Sequence, residues 1–309
     1  MAIPSGTLTG TSAISNLVQT AYDQYVRMAL RSIPVMRALA DVKPVQQAMP
    51  GSSVVFSIYS DLAAATSTLT ETTDVSSIAL GNPNQITVTL QEYGNAVTTT
   101  KKLNLTSFND VDAALADIIA YNAADSIDQV VAGVLTSGTN IIYGGTATNT
   151  AGITAGSTIS VSDIRAAVTN LRSNKALPRI GELYAAYLHP KQTADLRAET
   201  GTGGFQDLSK FTDRTPFVAG AVGVLEGAFI VETPRVPFAA TGAGGINVYS
   251  AVIAGREALA EAQGQDISTV IGPQIDALRR FHTIGWYYFG GWSILRQAAL
   301  YNIQTSTSY

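Results

Sequence analysis

The chain contains no cysteine, which excludes disulfides, thiolate metal sites and cysteine nucleophiles together. Its two histidines are too few for a histidine cluster. Charged residues make up only 14% of the 309 residues, against about 25% in ordinary soluble domains. Ala, Gly, Ser and Thr fill the gap, so less of the surface is built for water and more of it suits contact with copies of the same chain. The formal net charge is −4 and the Lys and Arg residues are scattered, so no basic face for reading a DNA sequence is visible. The longest apolar run, Phe217 to Val231, is interrupted by Glu226, and the N-terminal MAIPSGTLTGTSAISNL has no basic segment ahead of an apolar core. Neither a transmembrane helix nor a signal peptide is expected, and the chain is expected to be made and assembled in a cytoplasm without a membrane partner.

The usual signatures of chemistry are missing as well. GxxxxGK, HExxH, GxSxG, CxxC and GxGxxG do not occur, and Gly242-Ala243-Gly244-Gly245 lacks the helix that would present phosphate-binding amides. His189 precedes Pro190 and reads as a turn or helix-cap residue, while His282 sits among aromatics and reads as a strand residue. A lone Ser or Asp catalyses only with partners, and none is visible. No catalytic residue, cofactor or metal is expected, and the chain is expected not to be an enzyme.

What is present is a folding composition, 46% hydrophobic with a mean hydropathy of +0.17, long enough for one large or two modest domains. Its dominant stretch is Ser107 to Gly138, which has helical spacing throughout. Val111, Leu115, Ile118 and Ile119 line one face, and Ile127, Val130, Val131, Val134 and Leu135 continue it. Asp112, Asp117, Asp125 and Asp128 are expected to lie on the solvated or contact face. Ser107 or Asn109 can cap the start, and Gly138 is expected to supply a left-handed stop. A rod of roughly 45 Å is too long for an ordinary globular helix, its acids exclude a membrane, and its broken heptad excludes a long coiled coil. It reads as a structural spine.

The remaining segments group around that spine. Residues 1 to 12 read as an extended arm, followed by a helix to Leu30 that Pro34 breaks or kinks before Val35 to Ala40. Pro50-Gly51 marks a turn, and Ser53 to Tyr59 alternates as a strand with Val54, Phe56 and Ile58 on one side. Ile86, Val88 and Leu90 form the return strand. Between them, Ser60 to Gln85 has no aromatic residue and only three charges, so it reads as a long loop, either a flexible surface loop or an arm that lies on a neighbouring subunit. After the spine, Thr139 to Ser160 is a loop or a set of short strands. A mixed α/β block is expected from about 161 to 264. Its helix, Ser162 to Ala176, is capped by Ser160 or Ser162, and the strand Leu183 to Leu188 is followed by a helix from Pro190 through Leu196. Val218 to Val231 alternates, Val248 to Ala254 is a buried strand, and a short helix Arg256 to Ala262 is expected to close the block. Phe281 to Tyr301 holds both tryptophans and five other aromatics. It reads as two strands meeting at Gly290-Gly291 that pack beside the spine with Val54 to Ile58 and Ile86 to Leu90.

This order of parts resembles the major capsid proteins of tailed bacteriophages with the Hong Kong 97-like fold. The phrases LQEYGNAV (Leu90 to Val97), YLHPKQTADLRAE (Tyr187 to Glu199), VGVLEGAFIVETPRVP (Val222 to Pro237) and REALAEA (Arg256 to Ala262) also look like that family. The resemblance implies an α+β Hong Kong 97-like capsid fold and an icosahedral shell of pentamers and hexamers around double-stranded DNA. The implied division is an N-terminal arm (1–50), strands with an extended loop (51–100), a peripheral domain holding the spine (101–160), an axial domain (161–264) and C-terminal strands returning to the peripheral domain (265–309). Implied partners are other copies of the chain, a portal, a separate scaffolding protein and packaged DNA held non-specifically. Relatives that lock the shell with a lysine-to-asparagine isopeptide bond use a lysine of the loop; no lysine lies between Lys43 and Lys101, so no such crosslink is expected. Expected assembly contacts are Tyr22, Tyr25, Arg27 and Arg31 in the arm, and Leu62, Leu69, Glu71, Asp74, Ile78 and Leu80 in the loop. Phe205, Phe211 and Arg214 are expected in the axial block, with the basic pair Arg279 and Arg280 near the end. Alternatives from the same reading are a nanocompartment shell of this fold enclosing enzyme cargo, a phage tail or surface structural protein, and an enzyme whose site is spread over loops.

Overall fold

The computed structural model describes residues 31–44, 53–59, 61–72, 74–75, 77–106, 111–200, 223–272, 278 and 280–309. The expected arm helix up to Leu30, the cap at Ser107 to Asp110, and Tyr22, Tyr25, Arg27, Phe205, Phe211, Arg214 and Arg279 lie outside the described residues.

From the N-terminal side, a 3-10 turn at Met36–Leu39 leads into β1 (Ala40–Pro44). β2 (Ser53–Ile58) and β3 (Asn84–Thr89) form an antiparallel ladder of their own, with Val54, Phe56 and Ile58 turned to the covered side as the alternation predicts. β4 (Gln91–Thr100), α1 (Lys101–Thr106) and the long helix α2 (Val111–Thr136) follow. Next come β5 (Ile141–Tyr143), α3 (Val161–Ser173), β6 (Tyr184–Leu188) and α4 (Pro190–Ala198). Beyond them lie β7 (Val224–Leu225), β8 (Ala228–Glu232), β9 (Phe238–Ala239) and β10 (Val248–Ala254). The chain closes with β11 (Leu259–Ile271), β12 (Phe281–Ile294) and β13 (Leu300–Thr305).

Two larger sheets organise these strands. One is four-stranded in the order β1-β11-β12-β4, with β1 parallel to β11 and the other pairs antiparallel. The other is seven-stranded, β5-β13-β10-β6-β8-β7 with β9 on β10. α2 lies over the first sheet. At 26 residues it is about 39 Å long, and it buries Ile119, Ala123, Ile127, Val131 and Leu135 against Trp286, Tyr288 and Trp292 of β12. The i, i+4 stripe is therefore one residue class wider than the large aliphatics, because Ala123 fills the step between Ile119 and Ile127, while Ile118 stays 44% exposed. α3 buries Ile164, Val168 and Leu171 on the second sheet, and of the two expected caps it is Ser160 that closes its start, in a capping box with Asp163. β7 and β8 meet at Glu226-Gly227, a two-residue hairpin with positive φ at both positions.

Four local expectations fail, each for a tertiary reason. REALAEA is not a helix: a turn with Glu257 at φ 56° leads into β11, whose first residues run between β1 and β12 and are buried on both faces. Residues 259–264, expected in the α/β block, thus belong to the four-stranded sheet. Phe281 to Ile294 is one strand with no turn at Gly290-Gly291. Those glycines are required by close approach, since a Cβ on Gly290 would overlap the Tyr288 hydroxyl and one on Gly291 the Thr89 carbonyl oxygen. β12 pairs with β4 and β11, and its expected packing beside the spine and the β2–β3 ladder is present, with Phe289 in one cluster with Val54, Phe56, Val88 and Leu90; the final strand β13 joins the seven-stranded sheet. Gly138 is not a left-handed stop either; it makes room for Leu300 Cδ2 and Asn302 Nδ2, which would lie 3.0 and 3.1 Å from an added Cβ. Ser137 and Thr136 hydroxyls instead bond the last-turn carbonyls of Val134 and Ala132 at 2.7 and 3.0 Å.

Candidate assembly interface

In the segment joining β2 to β3, the described residues from Asp61 to Asn82 form no helix or strand and are all exposed. It nevertheless carries large aliphatic side chains. Leu69 is 77% and Ile78 72% exposed, and Leu62, Val75 and Leu80 are each more than half exposed. Covering each of these would be worth on the order of 1.5–3 kcal/mol, so the loop holds a large reserve of apolar surface that the subunit itself does not use. Asp61, Glu71 and Asp74 lie among them, with no Lys or Arg between Lys43 and Lys101. The expected contact residues Leu62, Leu69, Glu71, Asp74, Ile78 and Leu80 thus share one exposed, acidic, apolar segment.

A second apolar surface lies at one end of the four-stranded sheet. The register pairs Ile271 with Ile284 and Phe281 with Thr100, which brings the end of β11, the start of β12 and the start of α1 together. Ile271 is 66% exposed there, Leu105 76%, and Phe281 is partly open beneath the Arg280 guanidinium, 5.4 Å from its ring. Lys101 and Lys102 follow directly, with the Lys101 amide donating to the Arg280 carbonyl at 2.7 Å. This surface is basic where the loop is acidic.

Asp117 is exposed as expected, but Asp125 is half-buried and Asp128 is buried, and all three have partners within the subunit. Arg31 reaches Asp117 at 3.4 Å and stacks on Tyr121, so this expected contact residue is engaged inside the subunit. Asp128 is only 1% exposed. Its Oδ1 accepts the Met36 amide at 2.6 Å and the Arg37 amide at 3.3 Å, and its Oδ2 accepts Arg235 Nε at 2.5 Å. Arg235 also pairs with Asp125 at 2.5 Å. A second buried acid, Glu261 of β11, is fully covered; it takes the Arg37 fork at 2.6 and 3.1 Å and the Tyr288 hydroxyl at 2.9 Å. Burial and the Glu261 carboxylate drive the Tyr288 phenol far above its ordinary value, keeping it a donor. Arg37, Arg235 and Glu261 had no place in the sequence reading. The one available signal was Glu261 standing alone in an otherwise small and apolar run, ALAEA.

The two histidines take the roles expected of them. His189 Nδ1 accepts the Lys191 amide at 3.1 Å at the start of α4, with Pro190 in the first turn, and His282 lies in β12 opposite Thr99. Burial, and secondarily Lys191, lower the His189 pKa, which favours the neutral capping form. Among the described residues no group of three His, Cys, Asp or Glu could hold a metal ion, and no helix is long and apolar enough to cross a membrane. The described residues thus offer exposed apolar and charged surfaces for other chains.

A family model described as phage capsid protein matches residues 11–299. The chain belongs to the phage capsid protein family. Solved structures agree in fold over nearly the whole length. The capsid of cyanophage P-SCSP1u matches with a TM-score of 0.74 at 18% identity, covering 99% of this chain and 97% of that one. The capsid of Helicobacter pylori bacteriophage KHP30 matches at 0.73 and 13% identity, covering 98% and 100%. The capsid of Ralstonia phage GP4 matches at 0.71 and 16% identity, covering 98% of each chain. No curated protein matches the chain by sequence. The α+β architecture agrees with the Hong Kong 97-like fold expected above. This capsid protein is a structural subunit of a virion shell that assembles with copies of itself.

Proposed function

We propose that this capsid protein builds the icosahedral shell of a tailed bacteriophage from pentamers and hexamers, around double-stranded DNA. The observation that carries the reading in detail is the loop at 61–82, an exposed segment rich in Leu, Ile and Val and flanked by its own two-stranded ladder. Such a segment gains its free energy only by lying on another subunit. The acidic loop and the basic end of the four-stranded sheet are complementary in charge and both apolar, so the loop of one copy lies on the sheet end of the next. In this reading the arm is 1–50, the strands and loop 51–100, and α2 with the four-stranded sheet forms the peripheral domain. The seven-stranded sheet with α3 and α4 forms the axial domain around the five-fold and six-fold axes. Arg280 joins Lys101 and Lys102 at the sheet end, and Arg279, Tyr22, Tyr25, Arg27, Phe205, Phe211 and Arg214 are further contact positions. A portal and a separate scaffolding protein complete the assembly, which takes place in the host cytoplasm. Packaged DNA touches the inner face without sequence reading. The subunit performs no catalysis, and with no lysine between Lys43 and Lys101 the loop forms no isopeptide crosslink.

Deleting Ser60 to Gln85 tests the reading. The expected outcome is a soluble, folded subunit that no longer makes closed particles under negative-stain microscopy; particles of normal form would refute the loop assignment. DNase-protected DNA in purified wild-type particles is expected, and an enzyme inside them in its place would refute DNA as the content.

A further inference from the structure

We propose that residues 31–44 are a charge-locked strap that fixes the angle between the two large sheets, and with it the curvature of the shell; the second half rests on the shell reading above. The strap first follows α2. Arg31 meets Asp117, the Tyr121 hydroxyl donates to the Ser32 carbonyl at 3.1 Å, and Asp128 accepts the Met36 and Arg37 amides. These helix positions recur at helical spacing, so Asp117 and Asp128, two of the acids that the sequence assigns to a solvated or contact face, are the track on which the strap is seated. It then crosses to the four-stranded sheet, where Arg37 enters the Glu261 carboxylate and Ala40 to Pro44 pair in parallel with Leu259 to Gln263.

The seven-stranded sheet grips the same segment from its own side. Arg179, just ahead of β6, donates to the Ala38 and Ala40 carbonyls at 2.9 and 3.3 Å and meets Asp41 at 3.4 Å. Arg235, just after β8, holds Asp128 and donates to the Ser32 hydroxyl at 3.0 Å. Asp41 in turn accepts the Glu257 amide at 2.8 Å at the turn into β11. A few residues of strap therefore touch the spine helix and both sheets at once.

Two of the carboxylates in this chain of contacts, Asp128 and Glu261, are almost completely buried. A buried carboxylate stripped of its partners is strongly unfavourable, and a half-satisfied network is worse than either extreme. The strap is therefore held by all of its contacts together or released as a unit, which is the behaviour of a latch with two positions and not of a spring. Met36 and Leu39, both fully buried between α2 and the sheet, add an apolar plug that leaves with it.

The test uses the isosteric pair Asp128→Asn and Glu261→Gln, with Arg37→Lys as a milder variant that keeps the charge and loses the fork. Hydrogen exchange on the whole chain should rise by about tenfold or more at the amides of 36–43, while α3 keeps its protection. Particles of the variants should differ in diameter or size distribution from the wild type by electron cryomicroscopy. Unchanged exchange at 36–43 in all three variants overturns the latch. Faster exchange with wild-type particle geometry overturns its control of curvature. If the wild type itself forms no closed particles, the shell reading falls, and the exchange data alone decide the strap. Should either carboxylate variant fail to fold, Arg37→Lys carries both measurements with the same two overturning results.

Discussion

Replacing Gly291 and Gly133 by alanine should move stability in opposite directions. Gly291 lies in β12 beneath β3. A Cβ there would overlap the Thr89 carbonyl oxygen and come within 3.1 Å of Val88 Cγ1, and backbone cannot swing aside as a long side chain can. β3 would have to lift from β12, uncovering Val88, which is 1% exposed. Overpacking of this kind costs about 1–3 kcal/mol, occasionally more. Alanine recovers about 0.5–1 kcal/mol by restricting the unfolded chain, so the net loss spans about 0–2.5 kcal/mol and lies towards the upper end for an overlap with fixed backbone. Gly133 sits on the exposed side of α2 with nothing within 4 Å of an added Cβ. There the gain of about 0.5–1 kcal/mol is not opposed. With an unfolding entropy of about 2 cal/mol/K per residue over 309 residues, each kcal/mol moves the thermal midpoint by about 1.5 °C. Urea and thermal denaturation of the unassembled subunit should rank Gly133→Ala above wild type and Gly291→Ala below it. A Gly291→Ala subunit as stable as wild type would refute the packing account and restore the open hairpin turn expected from the sequence.

Leu135→Ala should cost about 2–5 kcal/mol, because Leu135 is fully buried, whereas Ile118→Ala on the same helix should cost far less in the isolated subunit; equal losses by urea denaturation would contradict the observed orientation of α2. Ser160→Ala removes the first half of the α3 capping box and should cost about 0.5–2 kcal/mol, with Ser160→Gly recovering most of it; a neutral alanine variant would count against the cap. His189 has a folded pKa below its ordinary 6.5, so the unfolded chain binds the proton more readily. Its contribution is full above the ordinary value and is lost as pH falls from there through the lowered folded value. Urea midpoints should therefore drop more steeply over that interval in wild type than in His189→Asn, and superimposable profiles would refute the role.

Elements whose spacing admits one period were legible in the sequence. α3 with its Ser160 and Asp163 cap, β6, β10, the α4 start at His189-Pro190 and the alternation of Val54, Phe56 and Ile58 all follow from local pattern and end signals. So did the exposed aliphatic loop, because a long stretch without aromatics or periodicity has nothing within its own subunit to fold onto. Leu259 to Ala262 satisfies a helical period and a strand equally, and only pairing with β1 on one side and β12 on the other decides between them. Glycine is equally ambiguous: Gly290-Gly291 marks a turn or a place where two backbones press together, and nothing local distinguishes the two. The long helix was fixed by its own sequence, yet the purpose of its acids was not. Asp117, Asp125 and Asp128 are ordinary surface charges on an isolated amphipathic helix; Arg31, Met36 and Arg235 turn them into the seat of the strap. Periodicity records what each segment offers to its surroundings, while the partner that takes up a buried charge comes from distant chain and exists only once the sheets have packed.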